Sequence, residues 1–77
     1  MNQRLPSLNA RMSSAPLERA GFAVSRTSGS HVRLVHSKDS VRGVTVPGHG
    51  SHDLQRGTLR AIIAQAGLTV AEFIALL

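Results

Sequence analysis

The sequence contains no cysteine, no tryptophan and no tyrosine. Without cysteine, neither a disulfide framework nor a thiolate zinc site can form. No apolar run approaches the roughly 20 residues of a membrane span. The opening Met1-Asn2-Gln3-Arg4-Leu5-Pro6 lacks the apolar core of a secretion signal. The expected location is therefore the cytoplasm, with no membrane partner. Acidic residues are also scarce. Four Asp and Glu oppose nine Lys and Arg, for a formal net charge of +5. Lys38 is the only lysine, and the arginine fork matches phosphate oxygens better than an ammonium does. This balance favours a polyanionic partner, with nucleic acid ahead of a membrane surface. The two aromatic residues, Phe22 and Phe73, sit in apolar patterns that read as core. A module that reads single strands by stacking needs exposed rings. Any RNA contact is therefore expected through phosphates and riboses.

The chain has 77 residues and reads as one domain over residues 1–77, with 1–8 a flexible arm. A domain of this size buries only about 60% of its unfolded surface, so a partner that covers apolar surface would matter. Asn9 to Ala20 carries a partial helical pattern, with Leu17, Ala20 and Met12 on one face, stopped by Gly21. Pro16 interrupts it. Either the helix kinks there, or it begins near Ser14 with Pro16 in its first turn. Three strands follow, Phe22 to Thr27, His31 to His36 and about Gly43 to Val46. They are separated by Ser28-Gly29-Ser30 and Ser37-Lys38-Asp39-Ser40. Period two places Val32 and Leu34 on one face of the second strand, and His31, Arg33 and Val35 on the other. Val44 and Val46 share a face, opposed by Thr45.

A helix is expected from about Arg56 to Ala66, with Leu59, Ile62, Ile63 and Ala66 inward. Gly67 stops it and Leu68 packs back. Thr69-Val70-Ala71-Glu72 is a capping box that opens a last helix with Val70, Phe73, Ile74 and Leu77 on one face. The expected fold class is α+β: a three-stranded antiparallel sheet with helices on one face, in the order α-β-β-β-α plus a short C-terminal helix.

Several segments together resemble a known family. Ala20-Gly21-Phe22 leads into a strand, followed by Gly29-Ser30-His31. Val44-Thr45-Val46-Pro47 precedes His49. Gly57-Thr58-Leu59-Arg60-Ala61-Ile62-Ile63 is completed by Gln65-Ala66-Gly67-Leu68, and Glu72-Phe73 stands near the end. In this order and spacing, over residues 17–77, they resemble the HicA (YcfA-like) toxins. The resemblance implies a fold like that of double-stranded-RNA-binding domains. It implies a toxin that cleaves mRNA without the ribosome, a HicB-type antitoxin that covers the active site, and a catalytic histidine at His31. The family's first helix usually reads as an unbroken amphipathic segment, where this chain has Met12-Ser13-Ser14-Ala15-Pro16.

Cleavage of RNA by its own 2′-OH needs a base for that proton, an acid for the leaving 5′-oxygen, and positive charge for the transition state. An imidazole can serve as acid or base near neutral pH. One His cannot be both at once in a single step, so His36, His49 and His52 are candidates for a second proton carrier. His36 falls on the opposite strand face from His31, and His49 could approach if the third strand neighbours the second. His49, His52 and Asp53 fall short of a convincing metal site, because a catalytic zinc needs three well-placed ligands. Metal-independent cleavage without cofactor is expected. Arg33, on the face of His31, and Arg26, just before the turn, could stabilise phosphate charge. Both also read as ordinary solvated strand charges. Ser30 lies beside His31. Arg56, Thr58 and Arg60 lie at the start of the second helix, where free N–H groups favour a phosphate; Thr58 could equally be a cap. Two other readings stand beside the nuclease. One is a non-catalytic double-stranded-RNA-binding module, which has no need of a titrating group after Gly29-Ser30. The other is an inactive toxin retained to bind its antitoxin, supported by the interrupted first helix.

Overall fold

The computed structural model describes residues 4–48 and 52–77. Its elements are α1 (Ala10–Arg19), β1 (Phe22–Ser28), β2 (His31–His36), β3 (Asp39–Pro47), α2 (Arg56–Gln65) and α3 (Val70–Ala75). The strands form one antiparallel sheet in the order β1-β2-β3. Leu34, Val44 and Val46 are fully buried and pack with Leu17 of α1, Leu59, Ile62 and Ile63 of α2, and Phe73 of α3. The expected α+β architecture is thus the observed one.

Helix α1 differs from the expectation. It runs through Pro16 without a break. Asn9 caps it, its side chain accepting from the Met12 amide at 2.8 Å. The inward stripe is Ala10, Ser13, Pro16 and Leu17, with Ala20 packed beside it. Met12, expected on that stripe, is instead 49% exposed, because it stands one residue out of phase with Ser13. Proline has no N–H to give the carbonyl four residues earlier. That carbonyl belongs to half-exposed Met12, where water can satisfy it. The hydroxyls of Ser13 and Ser14 donate back to the Asn9 and Ala10 carbonyls at 2.9 and 3.0 Å. Ser13, the one buried polar side chain among the described residues, is satisfied in this way.

The expected flexible arm does not include Leu5 and Leu8. They are 1% and 4% exposed and belong to the core. The Leu54 amide donates to the Leu8 carbonyl at 2.8 Å, Asn9 bridges Asp53, and the Arg56 guanidinium donates to the Leu5 carbonyl at 3.1 Å. A small domain has few apolar residues to spare, and the two leucines close the end of the core that α1 and α2 leave open. Their segment has no helical or alternating period, so the pattern alone hid them.

Strand β2 keeps its expected span, whereas β1 and β3 are longer than expected and the turns shorter. Gly29-Ser30 is a two-residue hairpin loop with Gly29 at φ +58°, which suits a glycine in the first central position. Ser37-Lys38 is the second loop, and β3 begins at Asp39. The register slips between Val35 and His36, leaving extra residues on β3. This lets the strand start early although Val41 is exposed. At the other end of β3, the Gly48 amide donates to the Ser30 carbonyl.

Helix α2 matches its expected span, and Gly67 at φ +75° ends it with the Leu68 amide donating to the Ile63 carbonyl at 3.1 Å. Arg42 donates to the Ala66 carbonyl at this C-terminus and lies 5.7 Å from the centre of the Phe22 ring. The capping box is formed: the Thr69 amide donates to Glu72 Oε1 at 2.8 Å and the Glu72 amide to Thr69 Oγ1 at 3.1 Å. The Thr69 amide and, after it, the Thr69 side chain hold the Glu72 carboxyl below its ordinary value. A depressed carboxylate stabilises the fold at pH above its unfolded value and loses that contribution as pH falls through the folded one. Phe73 is buried, whereas Leu77, expected on the same face, is exposed.

Two substitutions test this packing. Leu5→Ala should cost about 2–5 kcal/mol in urea denaturation, where a loose arm would give a change near zero. Gly48→Ala places a Cβ 2.6 Å from the Ser30 carbonyl oxygen. Backbone cannot swing aside as a side chain can, so a loss of about 1–3 kcal/mol is expected.

Candidate active site

The face of the sheet opposite the helices is built row by row from the register. Residues directly opposite one another share a face. One row is Ser28, His31 and Pro47; the next is Arg26, Arg33 and Thr45; the third is Ala23, Val35 and Gly43. The alternating residues of β2, Val32 and Leu34, face the helices as expected, and Leu34 is fully buried. His31 is exposed at the start of β2. Its position is fixed on both sides by backbone pairing to Ser28 and Pro47, and by the Gly48 amide on the preceding Ser30 carbonyl. Ser30, an expected RNA contact, therefore serves this site through its carbonyl; its side chain is exposed.

Arg26 reaches this face through an irregularity that alternation does not reveal. Phe22 and Val24 pair with His36 and Leu34, but the register shifts between Val24 and Arg26. One extra residue, Ser25, turns Arg26 onto the face of Arg33. The two arginines stand directly opposite each other, an arrangement that like charges make unfavourable. No acidic residue occurs in the three rows. The result is a positive surface beside His31. Arg33 also donates from Nη1 to Thr45 Oγ1 at 3.2 Å. Thr45 carried no functional expectation from its sequence position, because only the cross-strand register shows it opposite Arg33.

The other histidines separate cleanly. His36 lies on the opposite face from His31, as strand alternation predicts. Its ring meets Phe22 edge-on with centroids 5.1 Å apart, and Nδ1 accepts from the Lys38 amide at 3.1 Å. Gly21 leaves room for this ring: a Cβ there would stand 2.9 Å from His36 Nε2. His49 lies outside the described residues. His52 lines a cavity of about 550 Å³ with Pro47, Asp53, Leu54, Gln55 and Thr58. Through Pro47 this cavity borders the row of His31.

The residues at the start of α2 divide in the same way. Thr58 is half-buried in the cavity wall. It is not the cap: that position is Gln55, whose side chain makes no capping hydrogen bond. Arg56 is tied to the Leu5 carbonyl, so its guanidinium holds the N-terminal segment as well as facing solvent. Arg60 is exposed on α2, outside the three rows around His31. The structure thus gathers His31, Arg26 and Arg33 on one surface, with Thr58 at its border, and leaves Arg56 and Arg60 on the helix side.

Among the described residues, no three His, Asp or Glu side chains are grouped to hold a metal ion. None of the helices is long and apolar enough to cross a membrane, again among those residues.

No curated protein matches the chain. A family model does match, over residues 15–68, and its description reads "HicA toxin of bacterial toxin-antitoxin". The matched segment runs from within α1 to the end of α2 and includes the whole sheet with His31. The chain therefore belongs to the HicA family, the toxins of bacterial toxin–antitoxin systems.

Proposed function

We propose that this toxin is an endoribonuclease that cleaves mRNA in the cytoplasm without the ribosome, and that His31 carries the proton transfer. The observation that carries the reading is the exposed His31 on an uncovered sheet face, beside Arg26 and Arg33 and with no acid in the surrounding rows. A phosphate backbone drawn to that surface meets an imidazole that can take or give a proton at neutral pH. In the reaction, the 2′-oxygen loses its proton and attacks the adjacent phosphorus. The bond from phosphorus to the 5′-oxygen breaks, and that oxygen takes up a proton. Positive charge on the sheet face offsets the charge that builds on the phosphoryl oxygens. No metal or cofactor takes part in this scheme.

The partner antitoxin that the family implies is read as a HicB-type protein covering this same face. Its cover would exclude RNA and bury surface that a domain of this size leaves exposed. The reading of an inactive toxin loses its one support, because α1 is continuous through Pro16. A pure double-stranded-RNA binder would not need a titrating group at position 31.

The test is cleavage of a mixed RNA pool by the pure protein in EDTA, beside His31→Ala. The variant should lose about 10²–10⁴-fold in rate, with an unchanged melting curve because the side chain is exposed. Equal rates would remove His31 from the chemistry. Activity lost in EDTA and restored by zinc or magnesium would contradict the metal-independent scheme. RNA binding without cleavage by either protein would favour the binding module.

A further inference from the structure

Arg33 does not reach along its strand toward His31. Its guanidinium crosses to β3, where Nη1 donates to Thr45 Oγ1 at 3.2 Å. The Nη2 and Nε edge lies in the space directly over Gly43, where any Cβ would collide with it. Gly43 pairs with Val35, and Val35 lies beyond Arg33 on the side away from His31. Successive rows are two residues apart, about 6.7 Å of strand. The guanidinium therefore stands more than one row from His31. A guanidinium in that position is better placed for a neighbouring phosphate than for the one whose proton transfer His31 serves.

It can grip another phosphate of the same strand. Thr45 occupies one terminal nitrogen, and the Nη2–Nε edge, which makes no hydrogen bond to the described residues, is the kind of fork that binds phosphate through two parallel hydrogen bonds. Gly43 provides a floor with no side chain, so the fork lies flat on the sheet with its edge free. Arg26 stands opposite with no acid to neutralise it, which disfavours a guanidinium turned toward β1. The geometry points to a subsite, formed by Arg33 and held by Thr45 and Gly43, for a phosphate that flanks the one cleaved at His31. The inference rests on the nuclease reading and deepens it. Arg33 is a substrate-positioning residue, and Thr45 and Gly43 act through it.

The subsite predicts a dependence on substrate length. A dinucleoside monophosphate has only the phosphate to be cleaved, whereas a pentanucleotide also has flanking ones. On mixed pools of each, Arg33→Ala should lower kcat/KM for pentanucleotides about tenfold or more, chiefly through KM. It should slow dinucleoside cleavage far less, since there only the general positive charge of the face is reduced. Gly43→Ala is the finer probe. Its φ is not in the left-handed region and its Cβ meets only the end of a flexible side chain, so the fold should survive. It should shift KM in the same direction, and adding it to Arg33→Ala should have no further effect. A binding measurement does not depend on cleavage. With 2′-O-methyl RNA, which has no internal nucleophile, Arg33→Ala should reduce the slope of log affinity against log salt by about 0.7. His31→Ala should leave that slope unchanged.

Equal slowing of both substrate pools by Arg33→Ala would put Arg33 at the reacting phosphate and overturn the subsite. An unchanged salt slope would also overturn it. If the parent protein cleaves neither pool while the slope falls as expected, the His31 reading fails and the phosphate site stands.

Discussion

The structure depends on the one-sided cover of a three-stranded sheet. β2 lies in the middle of the sheet, so every second residue of that strand must enter the core and the others must not. Leu34, with Val44 and Val46 beside it on β3, excludes water from the helix side. The same pleat sends His31 and Arg33 to the side without helices. Burial of one set and exposure of the other have a single geometric cause. A slip of one residue would exchange the faces, leaving the core with a histidine and an arginine in place of apolar side chains.

That register is held by contacts spread along the chain. The glycine of Gly29-Ser30 permits a two-residue turn that sets Ser28 opposite His31. The Ser30 carbonyl takes the Gly48 amide and ties the end of β3 to the start of β2. Farther away, Leu5 and Leu8 complete the core, and Arg56 fastens their segment to α2. A domain of this length has little apolar area to lose, so the N-terminal segment is part of the frame that carries the candidate site. Arg42, between the end of α2 and the Phe22 ring, makes a similar link at the opposite end of the sheet.

The parts that were legible in the sequence share one property: each is governed by short-range chemistry. The span of β2, the inward pair Val44 and Val46, the stop at Gly67 and the Thr69–Glu72 box all follow from local periodicity or capping. The parts that were hidden depend on distant partners. Leu5 and Leu8 carry no period, and only the packed core explains their burial. Pro16 argued against a continuous helix, but its freed carbonyl falls at a half-exposed residue and the two serine hydroxyls satisfy themselves locally. The shift at Ser25 that brings Arg26 beside Arg33 is invisible to strict alternation. Thr45 and Gly43 gain meaning only from lying opposite and diagonal to Arg33.

The central claim is that the two faces divide the work, with chemistry on the uncovered side and cohesion on the helix side. The histidines at the two ends of β2 test it, because they belong to the same strand and opposite faces. The measurement is a paired one, the RNA cleavage rate and the melting temperature of His31→Ala and His36→Ala. His31→Ala should slow cleavage by about 10²–10⁴-fold and leave the melting temperature in place. His36→Ala should lower the melting temperature through its lost contacts with Phe22 and the Lys38 amide, and retain cleavage by the folded protein. The opposite pattern, with cleavage dependent on His36 and indifferent to His31, would contradict the account.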